Sequence, residues 1–246
     1  MGEKIKSGSE EEIKKPLEAR EATTDEEVKQ YFSFADPILK VAWGEDGPPE
    51  EYTPEYIAAH PELTKIFVVK DERSEVVGGA KIKKLTVSDK GRLNLNEGFL
   101  LNQSGVLLEY EAIRDDYRKQ GLLSILTQKR IDWAKEHGAE YACAEVEITR
   151  PISAYTKIRD GFVVVGIKEA GEGIAEPYFV LLKQISGGDT VVNKSKQAKD
   201  KVEWKEVEVN EDSCEELRGL FSDGWIGVDM KPKSEEMPWI LILEKN

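Results

Sequence analysis

Apolar residues recur along this chain in two rhythms, one of short dense runs and one of helical spacing. Ile66 to Lys70 and Val76 to Lys83 are apolar runs flanking Asp71-Glu72-Arg73-Ser74, a strand–turn–strand pattern. Val106 to Ile113 is a further strand. Leu122, Leu123, Ile125, Leu126, Ile131, Trp133 and Ala134 then mark one face of a helix, which Gly138 ends. Tyr141 to Val146 returns to a strand, and Pro151 suits the first turn of another helix. Gly161-Phe162 leads into Val163 to Val165, and Tyr178 to Leu182 follows. Upstream, Leu17 to Ala22 is a short strand, and Thr24 or Asp25 caps a helix carrying Val28, Tyr31 and Phe32. Gly44 to Pro54 reads as a loop, Pro54 to Ala59 as a short helix ending at His60, and Ser88 to Ser104 as no regular element. The order predicts a mixed α/β fold: a central, mostly antiparallel sheet flanked by helices.

Residues 1–16 are polar and aperiodic and predict a disordered tail. Residues 17–186 hold the α/β pattern. Residues 187–200 are Gly-, Ser- and Lys-rich and predict a linker. Residues 201–246 read as a small βαββ domain. It has a strand over Val202 to Val209 and a helix capped by Asn210 or Asp212 that runs to about Phe221. A third element starts at Gly224-Trp225-Ile226, and Trp239 to Leu243 is the final strand. The sequence also leaves open a homodimer through the last strand.

Net charge is −13, with 34% charged and 39% hydrophobic residues. That acidity argues against nucleic acid and anionic membrane as partners, because both require Lys and Arg neutralisation. It suits solubility first and a cationic substrate second. Cys143 and Cys214 fall in different modules, so no disulfide is expected, and with two histidines they make no metal site. The charged N-terminus lacks a signal-peptide apolar region, and no apolar run reaches transmembrane length, so a cytoplasmic protein is expected.

The segment that carries chemistry is Ile113 to Ser124. A strand runs through a polar turn into a glycine and a helix, which aims orphan backbone N–H groups and the positive end of the helix dipole at one point. Gly121 lets a diphosphate approach the backbone. Arg118, Gly121 and Leu123 stand at the three fixed places of the Arg/Gln-x-x-Gly-x-Gly/Ala signature. The segment therefore resembles the acyl-CoA site of the GNAT superfamily of N-acyltransferases. The element order over residues 17–186 resembles that fold as well. The C-terminal module resembles small bacterial domains with Gly-Trp after their helix, which bring no chemistry with them.

The resemblance implies acetyl-CoA as co-substrate, no metal, and an amine acceptor, either a small molecule or a peptide. It implies that the pantetheine arm pairs with backbone at Glu111, Ala112 and Ile113. The pyrophosphate would be held by amides from Arg118, Lys119, Gln120, Gly121, Leu122, Leu123 and Ser124. Leu123 departs from the signature. Turned inward, it leaves its amide free for phosphate; turned outward, it crowds the diphosphate.

Transfer to an amine needs a base, and Glu109 and Glu111 alternate on the strand that would carry the acyl group, so both are expected on one face. One is the candidate base, unless the two form a solvated pair with neighbouring cations. Glu145 and Glu147 are further candidates of this kind. The family often places a tyrosine four residues before the Gly-Phe as the acid for the CoA sulfur. That position here is Lys157, and Tyr155, two residues earlier, is favoured over it, or else is a core aromatic. Arg150 and Ser153 could touch CoA. The expected activity is N-acetyl transfer by direct attack in a ternary complex. A degenerate binding scaffold and a longer acyl chain are the alternatives.

Overall fold

A computed structural model describes residues 17–43, 53–93, 102–169, 176–186, 203–233 and 239–245. The tail expected at 1–16, the linker at 187–200 and most of the loop at 44–54 lie outside the described residues. The fold is mixed α/β, as the patterning predicts. Its strands are β1 (Ala19–Glu21), β2 (Thr64–Lys70), β3 (Val76–Lys84), β4 (Gly105–Ile113), β5 (Tyr141–Glu147), β6 (Val163–Lys168), β7 (Tyr178–Gln184), β8 (Glu203–Val209), β9 (Ile226–Pro232) and β10 (Trp239–Lys245). Its helices are α1 (Asp25–Trp43), α2 (Pro54–Ala59), α3 (Val87–Arg92), α4 (Leu122–Glu136), α5 (Pro151–Arg159) and α6 (Cys214–Ser222).

The strands form one sheet in the order β1-β2-β3-β4-β5-β7-β6-β9-β10-β8. Every adjacent pair is antiparallel except β4–β5. That parallel pair is short: Gly105 to Leu108 meet Tyr141 to Ala144, and the ladder stops there. Beyond Leu108 and Ala144 the two strands fork.

Local chemistry explains the element ends. Thr24 Oγ1 accepts the Glu27 amide at 3.3 Å to start α1. Thr86 and Asp89 form a reciprocal capping box that starts α3. That helix overlaps the stretch from Ser88 to Ser104 read as irregular, because Val87 to Arg92 offers a cap but little apolar periodicity. Gly138, at φ +73°, follows the end of α4.

The core lies on both faces of the sheet. On one face α4, α5 and α6 pack Leu122, Leu126, Ile131, Ala154, Ile158 and Leu217 against Val69, Ala80, Ile82, Val106, Leu108 and Ile113. On the other, α1 sets Tyr31, Phe32 and Ala35 against Ile66, Val68 and Ala112. Tyr31 sits so close to β3 that a Cβ on Gly79 would lie 2.3 Å from its ring. The C-terminal strands extend the same sheet through one β6–β9 bridge, Val164 to Gly227. A Cβ on Gly227 would come within 2.9 Å of Val164 and of Leu241, so this join requires a glycine. Cys143 and Cys214 are both buried, and neither is in a disulfide.

Candidate active site

β4 changes hand where the fork opens. Tyr110 and Glu111 stand opposite the single residue Ala80, because the β3 register jumps from Gly79–Ala112 to Lys81–Glu109. This is a bulge, and Tyr110 takes φ +44° to make it. An extra residue reverses the side-chain alternation. Glu109 and Glu111 therefore lie on opposite faces of the sheet, contrary to the same-face expectation from strict period two.

On the α1 face, Glu109 pairs with Lys81 at 3.0 Å, and both side chains are buried. Lys81 Nζ also lies 5.6 Å from the centre of the Tyr110 ring. The Tyr31 hydroxyl donates to the Tyr110 carbonyl. On β5, Glu145 pairs with Lys168 at 3.0 Å and Glu147 with Arg150 at 2.6 Å. Tyr178 donates to Glu147 at 3.3 Å, and burial together with that carboxylate pushes its phenol up to about 12.

On the α4 face, the Glu111 carboxylate meets two buried cations, Arg130 of α4 and Lys157 of α5. Lys157 Nζ also donates to Thr127 Oγ1 at 2.8 Å. Arg130 donates to the Lys81 carbonyl at 3.0 Å and to the Glu109 carbonyl at 3.4 Å, so it braces the bulge from below while Tyr31 braces it from above. Burial alone would raise the pKa of Glu111, but Lys157 and Arg130 outweigh it and hold the carboxyl at about 2. Burial lowers the Lys157 ammonium to about 8, against the opposing pull of Glu111.

Tyr155 is placed elsewhere. Residues two apart on a helix lie about 200° apart around its axis, so Tyr155 and Lys157 point in different directions. The Tyr155 ring sits 5.4 Å from that of Trp239 on β10, with the Arg159 guanidinium 5.8 Å from it. The position expected to be less favoured, Lys157, is the one carried to β4.

The polar turn between β4 and α4 has the shape of an anion cradle. A one-turn 3-10 helix, Asp115–Tyr117, leads into Arg118; Lys119 then takes φ +64° and Gly121 φ +76°. Left-handed residues alternating with right-handed or extended ones curl successive N–H groups inward. The first amides of α4, from Leu122 to Ser124, point at the same place. Ala112 and Ile113 are buried at the end of β4 just before this turn. Leu123 packs its side chain against the main core, so the residue that departs from the signature leaves the cradle open. Arg118 pairs with Asp115 at 2.7 Å and both are exposed. Lys119 and Gln120 are exposed on the turn.

Residues 25–157, more than half the chain, match the profile of the acetyltransferase (GNAT) family. The chain belongs to that family. Solved structures with the same fold include spermidine N-acetyltransferase from Vibrio cholerae in complex with CoA and spermine. It is 12% identical, covering 68% of this chain and 95% of that one, with TM-score 0.52. The protein yncA from Salmonella typhimurium, solved with its cofactor acetyl-CoA, is 15% identical over 72% of this chain and 98% of that one, with TM-score 0.55. A ribosomal-protein-alanine N-acetyltransferase from Brucella melitensis is 17% identical over 68% and 98%, with TM-score 0.53. No curated protein sequence matches this chain. Family membership makes acyl transfer from an acyl-CoA the chemistry of this fold. Among the described residues, no helix is long and apolar enough to cross a membrane and no cluster of His, Cys, Asp and Glu could hold a metal.

Arg130, Thr127 and Lys81 were not picked out by motif. The available signal was a polar side chain inside an apolar pattern: Arg130 lies four residues after Leu126 on the buried stripe of α4, and Lys81 lies between Ala80 and Ile82.

Proposed function

We propose that this chain is an N-acetyltransferase that moves an acetyl group from acetyl-CoA to a primary amine by direct attack in a ternary complex. The carrying observation is the β4–β5 fork with an anion cradle at one end. Strand ends freed beyond Leu108 offer backbone groups to a pantetheine arm, and the turn from Lys119 to Ser124 offers amides to its pyrophosphate, the Arg118 amide being held by the Asp115 carbonyl.

Glu109 is the candidate base. It stands on the α1 face, opposite the helices that frame the cofactor turn, and it can relieve an incoming ammonium of its proton directly or through water. Glu111 is an anchor and not a base: a carboxylate held at about 2 by two cations takes up a proton poorly at neutral pH. The net charge of −13 favours a cationic acceptor, and a fold relative is solved with spermine.

Calorimetric titration of the folded protein with acetyl-CoA tests the reading. Saturable binding with a micromolar dissociation constant is expected. Folded protein that gives no heat at high micromolar acetyl-CoA would remove the proposal.

A further inference from the structure

The turn that leads from β4 into α4 is tied at its near end to the tip of the β2–β3 hairpin. Asp71 to Glu75 close that hairpin. The Asp71 amide donates to the Glu75 carbonyl at 3.0 Å, the Ser74 amide donates to the Asp71 carbonyl at 3.0 Å, and Ser74 takes φ +65°. Asp71 Oδ1 accepts the amides of Arg73 at 2.9 Å and of Glu75 at 3.0 Å. Its other oxygen, Oδ2, accepts the hydroxyl of Tyr117 at 2.8 Å, from 46 residues along the chain. One carboxylate thus shapes the hairpin with one oxygen and reaches the turn with the other.

Arg114 makes a second link. Its amide donates to the Val77 carbonyl at 3.0 Å. Its guanidinium donates to Glu75 at 3.1 Å and to the two oxygens of Asp116 at 3.2 and 2.8 Å. It also lies 5.3 Å from the centre of the Tyr117 ring. Tyr117 is half-buried and packs against the main core, so its ring is seated by apolar contact and its hydroxyl is the part that crosses to the hairpin. Burial alone would raise the pKa of Asp71, but the Tyr117 hydroxyl and the amides of Glu75 and Arg73 outweigh it and lower the carboxyl. Asp71 in turn raises the Tyr117 phenol.

Beyond Tyr117 the chain runs exposed from Arg118 to Gly121, with Lys119 at φ +64° and Gly121 at φ +76°. The far end is fixed by α4, where Leu122 is buried and the Ile125 amide donates to the Gly121 carbonyl at 3.2 Å. A left-handed residue other than glycine persists where the surrounding structure over-determines it. Lys119 meets that condition when both ends of the turn are held. We propose that Tyr117 and Asp71 are positioning residues for the cofactor: their bond fixes the near end of the turn and so sets the affinity for the diphosphate of acyl-CoA. This inference rests on the acyl-transfer reading above. Neither side chain needs to touch the cofactor; the pair acts through the amides from Lys119 to Ser124, which then bind without first being ordered.

Calorimetric titration of the full chain with CoA, paired with hydrogen exchange on the free chain, tests the assignment. Tyr117→Phe keeps the ring and its packing and removes the donor. It should weaken CoA binding about tenfold. Exchange should quicken at the amides from Lys119 to Leu123, while β2 to β5 and the later turns of α4 keep wild-type rates. Asp71→Ala should lose at least as much affinity, and adding Tyr117→Phe to it should change nothing further. Asp71→Asn keeps an oxygen for the two hairpin amides and offers an N–H to the phenol oxygen, so it should bind CoA within about threefold of the wild type. Wild-type affinity in folded Tyr117→Phe, quickened exchange spread over the whole sheet, or a further tenfold loss when Tyr117→Phe is added to Asp71→Ala overturns the assignment and leaves acyl transfer standing. Failure of the wild-type chain to bind CoA overturns both.

Discussion

Gly121 shows what one residue decides at this site. It takes φ +76°, and nothing lies within 4 Å of where a Cβ would project. Gly121→Ala is therefore a purely conformational change, expected to cost about 1 kcal/mol of stability with little loss of CoA affinity. Gly121→Glu adds a carboxylate to an anion cradle, and CoA binding should weaken by at least about a hundredfold by calorimetry. Unchanged binding would place the pyrophosphate elsewhere. Glu111 is the second deciding residue. Its folded pKa of about 2 lies below the ordinary value of 4.5. Its contribution to stability is therefore complete above about pH 5 and is lost as pH falls through 4.5 toward 2. Thermal unfolding midpoints measured across that window should fall more steeply for the wild type than for Glu111→Gln. Equal slopes would deny the ion pair its role. Glu111→Ala strands Arg130 and Lys157 as buried charges and should cost about 3–5 kcal/mol in denaturant unfolding.

At the scale of elements, the bulge of β4 organises the site. It separates Glu109 from Glu111 onto opposite faces of the sheet. It is held from two sides, by Arg130 of α4 and Tyr31 of α1. The α1 brace depends on the close approach of Tyr31 to Gly79, where even a methyl group would displace the ring. Gly79→Ala is thus expected to destabilise the fold by about 1–3 kcal/mol through overpacking. By shifting Tyr31 it should also lower turnover more than it weakens acetyl-CoA binding. Steady-state kinetics and calorimetry on the same preparation check this split. A loss confined to binding would show that α1 does not position the bulge.

At the scale of the molecule, the sheet runs unbroken from β1 through the C-terminal strands. α5 contributes to both parts: Lys157 faces β4, and Tyr155 packs on Trp239 of β10. The seam itself is narrow, resting on Val164 and Gly227. Gly227→Val puts a branched side chain where a single Cβ already meets Val164 and Leu241 at 2.9 Å. Hydrogen exchange should then show protection lost first across β8, β9 and β10, with β2 to β5 retaining theirs. Uniform loss across the sheet would mean that the two parts unfold as one unit.

The sequence by itself determined the element order, the mixed α/β class and the glycine-bearing turn that opens α4, because each rests on local pattern: apolar periodicity, a capping residue, a glycine before a helix. It also marked Glu109 and Glu111 as unusual, since carboxylates on an apolar strand carry a desolvation cost. What it could not determine was which way they face. Strict alternation predicts one face, and a single inserted residue at Tyr110 reverses it. Nor could spacing choose between Tyr155 and Lys157, because that depends on which side of α5 meets β4. The inward turn of Leu123, the burial of Arg130 and the continuation of the sheet from β6 to β9 were likewise decided by packing between segments far apart in the chain. Local chemistry fixes an element and its ends; only the neighbours it packs against fix which side chains share a site.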